Sequence, residues 1–308
     1  MSIDYSKVKG LSDHIGNIVK ITDASGRVIW AASGKVILEV EKITDDTYVN
    51  DTVWYNDNFI LLDIYPESAN SVVKVTYGGL TKTLQFEGIN AQQVYFGTYG
   101  GVSDSVTTPA SGELTIEGDL IGFTCGAYKA DDAENKKYTN EYCPCITDVI
   151  EWGSITSITN NAFKGNDNIT FTSLPNGIIS IGSSAFEECH NVQITNFPEG
   201  LISIGDRAFY FDESRSFKMR NAKITLPSTL QSLYDTSFYT YVRDSNDSLT
   251  KVSYLSEITM LATTPPALTR SSGIYMIAAK IIVPKGCGEA YRTAEGWSGM
   301  NGTIEEAS

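Results

Sequence analysis

Three stretches of this chain repeat one another at a fixed interval, and that interval limits what the chain can fold into. They read Thr156-Ser157-Ile158-Thr159-Asn160-Asn161-Ala162-Phe163, Ile179-Ser180-Ile181-Gly182-Ser183-Ser184-Ala185-Phe186 and Ile202-Ser203-Ile204-Gly205-Asp206-Arg207-Ala208-Phe209. A fourth, weaker copy is Gln231-Ser232-Leu233-Tyr234-Asp235-Thr236-Ser237-Phe238. Phe163, Phe186 and Phe209 are 23 residues apart, and the step to Phe238 is 29. A second marker keeps the same beat: Leu174-Pro175, Phe197-Pro198 and Leu226-Pro227 are spaced by 23 and then 29. Two markers in step make chance a poor explanation.

A period of this length implies stacked coils, because one repeat cannot bury its apolar side alone. The Ser-Ile step turns Ile158, Ile181, Ile204 and Leu233 inward. The Ala-Phe pair supplies one small and one large core residue, so each coil can lay a phenyl ring over its neighbour's. Pro after an apolar residue ends a short strand, where no ladder donor is needed. The longer third interval places its extra residues in 210–223, which contains Asp212-Glu213-Ser214-Arg215-Ser216. A polar insertion of this kind is expected to bulge as a loop on one face.

These motifs resemble the BspA-like leucine-rich repeat family, over about residues 146–308. The resemblance implies a solenoid in which Cys189, on the family's cysteine position, is a buried small hydrophobe rather than a nucleophile. Asn166 and Asp212 stand at the equivalent place in other coils and depart from the pattern. Residues 258–268 and 281–286 look like the family's closing coil. Beyond them Ala290, Ala294 and Trp297 form an apolar stripe at helical spacing, expected to be a short helix that caps the open end.

The front of the chain follows another rule. Val36, Leu38 and Val40 alternate with Ile37, Glu39 and Glu41, and Val73, Val75 and Tyr77 alternate with Lys74 and Thr76. Gly78-Gly79 makes a two-residue turn into a strand whose Leu80, Lys82, Leu84 and Phe86 share one face. Further strands are expected at 58–64, 92–97 and 113–117. Residues 34–122 therefore read as an immunoglobulin-like β-sandwich, or as a small β-domain of another type. Residues 17–21 and 27–30 flank a turn and predict a hairpin within a separate N-terminal docking module, 1–33. That module resembles the N-termini of structural and tail proteins of phages of gut bacteria. Residues 123–145, polar over 128–142, read as a linker or loop, and 146–308 as the solenoid with its cap. The expected fold class is mainly β. The 30 Ile against 17 Leu, with 30 Thr, agree, since branching at Cβ suits a pleated surface.

Charge excludes some partners. With 37 acidic against 23 basic side chains the net charge is -14. No basic cluster offsets it, which argues against nucleic acid and anionic membranes. No apolar run is long enough to span a bilayer as a helix, so membrane insertion is not expected. The first residues show no basic region followed by an apolar core, unlike a Sec signal. The chain then stays where it is made, leaves by another route, or has had its signal removed.

Chemistry is sparse. The two histidines are His14 and His190; the second follows Cys189, and the expectation is Cys in, His out, with no catalysis. No nucleophile elbow, P-loop or zinc-protease motif is present. Cys125, Cys143 and Cys145 leave open a disulfide, and zinc lacks a nearby fourth ligand. Asp244-Ser245-Asn246-Asp247-Ser248 lacks the Gly and Glu of a calcium loop. No cofactor, metal or catalytic residue is assigned. Tyr210, Phe211, Tyr239, Tyr241 and Arg243 are candidate surface-binding residues, because aromatics and Arg favour recognition; alternatively they shield the irregular fourth coil. The expected function is non-enzymatic recognition of a protein or glycan on a cell surface. The setting is a phage virion or tail-associated protein, attached to the virion through its N-terminal module, or else a bacterial cell-surface or secreted adhesin.

Overall fold

Alternating apolar residues build the front of the molecule. A computed structural model describes residues 11–14, 17–22, 28–31, 35–40, 59–99, 102–103, 111–132, 137–142, 146–211, 216–243, 249–269, 278–298 and 303–308. Two antiparallel sheets of five strands form there. The first runs, in spatial order, through Ile146–Trp152, Lys35–Val40, Gly112–Gly118, Val72–Tyr77 and Leu80–Gln85. The second runs through Lys137–Tyr142, Leu120–Asp132, Phe59–Pro66, Gln92–Tyr99 and Val102–Ser103. Val36, Leu38, Val40, Val73, Val75, Leu114 and Ile116 of one join Ile60, Leu62, Ile64, Val94, Phe96 and Phe123 of the other in one core. Tyr77 meets Phe96 edge to face, with ring centroids 5.9 Å apart. The Gly78-Gly79 turn pairs Tyr77 with Leu80, both glycines having positive φ as such a turn requires.

Three expectations change here. Residues 123–145 contain long strands rather than a linker: Leu120–Asp132 pairs with Phe59–Pro66 and with Lys137–Tyr142. Strand Ile146–Trp152 does not open the first coil; it is the edge partner of Lys35–Val40. The strand expected at 92–97 runs on to Tyr99 and pairs there with Val102–Ser103. Polarity misled in the second sheet, where an edge strand needs only one face covered. At the N-terminus, Asn17–Thr22 pairs with Val28–Ala31 as expected, and Leu11–His14 adds a third strand.

Behind the front sheets the chain turns into stacked coils. Two-residue strands Ser157–Ile158, Ser180–Ile181 and Ser203–Ile204 pair in parallel with one another, and the last pairs with Ser232–Tyr234, then Ala267–Thr269. Ile158, Ile181, Ile204 and Leu233 are buried. A second parallel ladder joins Lys223–Leu226, Glu257–Met260, Lys280–Val283 and Thr303–Glu306, aligning Ile224, Ile258, Ile281 and Ile304. Between the ladders the phenylalanines form a column. Phe163 and Phe186 stack at 5.5 Å, Phe186 and Phe209 at 5.0 Å, and Phe209 and Phe238 at 5.1 Å, all within 20° of parallel. Phe171 and Phe197 meet the column edge-on.

Two backbone devices let the coils approach. Asn161, Ser184 and Arg207 each take φ near 57°, one per 23-residue coil, at about 1 kcal/mol each for a residue with a Cβ. Thr236, the equivalent in the fourth coil, is not in that conformation. Gly182 and Gly205 lie against the previous turn: a Cβ on Gly205 would sit 2.5 Å from Ser183 N, and one on Gly182 2.6 Å from Asn160 N. Gly122 does the same at the junction, where a Cβ would lie 2.5 Å from the Ser157 carbonyl oxygen. The front sheets and coils thus share one core, sealed by a Thr124–Thr159 hydroxyl pair at 2.9 Å and by Trp152 against Phe163 at 6.0 Å.

Of the polar run expected to bulge as a loop, residues 212–215 lie outside the described residues, and the chain beyond it packs inward. Phe217 and Met219 are buried, and Phe217 stacks on Phe211 at 4.7 Å. At the far end, helix Gly288–Thr293 is shorter than expected and rotated: Gly288, Tyr291 and Trp297 are buried while Ala290 is exposed. Tyr291 and Trp297 donate to the carbonyls of Ala262 and Pro266 at 2.8 and 2.7 Å, a need that Ala290 does not have.

Two substitutions test this packing by urea denaturation. Phe186→Ala should cost about 3–5 kcal/mol, as a buried aromatic truncation in mid-column; a loss near zero contradicts the stacking. Gly205→Ala should cost about 1–3 kcal/mol through overpacking against backbone, and no loss means that the coils are not in this contact.

Candidate functional site: a serine-lined groove

The ladder of short strands leaves one residue of each pair facing out. Ile faces the core, so Ser157, Ser180, Ser203 and Ser232 line a groove of about 390 Å³. Its floor is set by main-chain bonds: Ile179 N–H donates to Thr156, Ile202 to Ile179 and Gln231 to Ile202, at 2.7–2.8 Å. Gly182 and Gly205 keep it open beside the serines. The Ser180 hydroxyl donates to that of Ser157 at 2.9 Å, and the Asn160 side-chain oxygen accepts the Ser183 N–H at 2.8 Å. Tyr65 and Ile121, from the second front sheet, bound one end, and Tyr234, 37% exposed, belongs to the coil at the other. Tyr234 stands where the first coil carries Thr159 and the next two carry Gly182 and Gly205. The exposed Ile179 and Ile202 immediately precede two of the serines. Among the described residues no Asp, Glu, His, Lys or Arg lines the groove, and the lining they form can hydrogen-bond and stack.

The aromatic candidates lie elsewhere, at residues that follow the phenylalanine column. Lys164, Glu187, Tyr210 and Tyr239 hold equivalent places in successive coils. Glu187 pairs with Lys164 at 3.1 Å and Arg207 at 3.0 Å; Arg207 lies 4.8 Å from the Tyr210 ring centre, and Tyr210 lies 4.8 Å from Tyr239. Tyr210 and Tyr241 are half-buried. Phe211 and Tyr239 are buried and do not form a binding surface: Phe211 packs on Phe217 and Tyr254, and Tyr239 beneath Tyr210 and Tyr241. Arg243 ends the strand Tyr239–Arg243, and its side chain lies outside the described residues. Phe211 and Tyr239 are thus packing residues, and Tyr210 and Tyr241 keep part of their rings exposed.

Cys189 is buried, its thiol donating to the Phe163 carbonyl at 2.8 Å, and burial pushes its pKa well up. That thiol is no nucleophile at neutral pH. Asn166, in the same place one coil earlier, keeps the packing by donating to Ile146 O at 2.8 Å and accepting from Asn168 N–H at 3.0 Å. His190 departs from expectation: it is buried, not outward. Its Nδ1 lies 2.8 Å from Asp167 Oδ1 and its Nε2 3.3 Å from Glu188 Oε2. Burial alone would lower its pKa, but the two carboxylates outweigh it and raise it to about 9. An imidazolium held this way is a structural ion pair, with no nucleophile among the partners named. Cys143, Cys145, Asp212 and the run 244–248 lie outside the described residues. Among the described residues no cluster of His, Cys, Asp and Glu is placed to hold a metal, and no helix is long and apolar enough to cross a membrane.

The class these features define is a β-rich protein carrying stacked repeats. Residues 156–263 match the model of the BspA type leucine rich repeat region, in six copies. A comparison with curated proteins gave no match.

His190 makes stability depend on pH. Its folded pKa, about 9, lies above its ordinary 6.5, so its contribution is complete below 6.5 and is lost as pH rises through 9. After allowance for solvent screening the loss is about 1–2 kcal/mol. Urea denaturation at pH 6 to 10 should show a decline in the native chain that His190→Gln lacks; parallel curves contradict the ion pair.

Proposed function

We propose that this chain is a non-enzymatic binding protein whose repeat stack is a leucine-rich-repeat solenoid presenting the serine groove to a protein or glycan on a cell surface. The observation that carries the reading is the groove itself: a rigid, hydroxyl-rich, uncharged strip across four coils. Its floor is fully occupied by coil-to-coil bonds, so it presents a fixed shape. The matched repeat type supports the same conclusion, being a non-enzymatic interaction family found on surface or secreted proteins. In this reading the two front sheets are an immunoglobulin-like sandwich that supports the solenoid, and the N-terminal strands are a docking module.

Two settings follow. In the first the chain is a virion or tail-associated protein of a phage of gut bacteria, attached through residues 1–33 and recognising a host with its coils. In the second it is a bacterial surface or secreted adhesin, which the repeat match favours. Mass spectrometry separates them: the first predicts the chain in purified particles, the second in washed cell envelopes or medium. The shared claim is tested by incubating labelled full-length chain with intact gut bacteria and with mucin-coated wells. Saturable retention on one of these surfaces is expected; retention on neither removes the adhesive role.

A further inference from the structure

The groove also indicates the chemistry of what fills it. Its lining offers hydroxyls from four coils, the Asn160 amide and aromatic rings from Tyr65 and Tyr234. Among the described residues the lining offers no charge, on a chain whose net charge is -14. Phosphate, sulfate, uronate or sialate would find no cation there and would be repelled by the whole protein. A peptide fares poorly for a different reason. Peptides recognised by strand addition need free main-chain donors and acceptors, and the floor carbonyls of Thr156, Ile158, Ile179, Ile181 and Ile202 already accept from the next coil. Pockets for alternate side chains are missing as well, since Ile158, Ile181, Ile204 and Leu233 fill the space beneath.

A neutral sugar chain meets each condition. Its hydroxyls both donate and accept, as the serine hydroxyls do. Its rings carry a C–H face that packs on the exposed Tyr234. Successive serines are one coil apart, about 4.8 Å, close to the advance of one sugar in an extended chain. The volume of about 390 Å³ falls in the range of small-ligand sites, about 300–1,000 Å³.

We infer that the groove binds an extended, uncharged glycan laid along the serine ladder from Tyr65 to Tyr234, an inference that rests on the coil stack being the binding face. The probes are neutral hexasaccharides with glucose, mannose, galactose or N-acetylglucosamine backbones, with hexagalacturonate as the charged control. Titration calorimetry on the full chain should show binding of at least one neutral probe, unaffected by added salt, and none of the control. Tyr234→Ala should weaken that binding about tenfold through the lost ring contact, and Ser203→Leu, which fills the groove, should abolish it. Far-UV circular dichroism and thermal midpoints confirm that both variants fold; should Ser203→Leu fail to fold, Tyr234→Ala, altered only at an exposed ring, carries the test. No neutral probe bound, or binding indifferent to Tyr234→Ala, overturns the inference. Retention on cells tells this failure from that of the broader reading. Binding lost after protease but not after periodate treatment of the cells means a protein partner: the adhesive role stands and the glycan does not. A bound hexasaccharide with no retention on any surface means the reverse.

Discussion

The column of phenyl rings from Phe163 through Phe186 and Phe209 to Phe238 is the contact on which the coils depend. Its near-parallel stacking, at 5.0–5.5 Å, sets how far each coil sits from the next. Main-chain bonds between coils hold the same distance, Asn161 N–H to the Ser183 carbonyl and Phe163 N–H to that of Ala185 among them, and the buried ring supplies the larger free energy. The glycines and left-handed turns follow from it, since the backbones must come close enough for the rings to meet. The groove is the outer consequence. With Ile committed to the core, the residue before it must face out, and Ser recurs there because a small hydroxyl fits between closely spaced strands.

The column does not begin at the first coil. Trp152 and Phe123, both from the front sheets, close on Phe163 at 6.0 and 5.8 Å. The ladder continues in the same way, with Thr156 N–H donating to Ile121 and Cys125 N–H to Ala162. A stack of repeats exposes an apolar end unless something covers it. Here the antiparallel sheets cover one end, and Tyr291 and Trp297 lie at the other.

The period of the repeat, the inward isoleucines, the ring stack and the Gly-Gly hairpin were all legible in the sequence, because each depends on local spacing. Strand Ile146–Trp152 was not, since its partner Lys35–Val40 lies over a hundred residues earlier and nothing in its own pattern names that partner. The strand Leu120–Asp132 before it likewise carries no sign of its partner Phe59–Pro66. A lone histidine in the sequence shows nothing of the carboxylates, Asp167 from the previous coil and Glu188 from its own, that bury His190. Phe211 and Tyr239 read as recognition residues in the sequence because their local pattern does not show that Phe217 and Tyr254 pack on the first, and Tyr210 and Tyr241 on the second. The groove has a signal of its own, Ser before Ile in three copies and before Leu in the fourth, beside the inward residues that mark the core. Outward residues at a fixed period mark a surface as surely as inward ones mark a core.

Hydrogen exchange tests most directly whether the ring column unites the front sheets and coils in one body. The amides of Gly182, Gly205 and Gln231 bond between coils, and those of Thr156 and Cys125 bond across the junction. The account predicts that all five exchange together, at the slow rate of global unfolding, and that Phe186→Ala speeds all five alike. Coil amides that exchange well before Cys125, or a Phe186→Ala effect confined to its own coil, would contradict it.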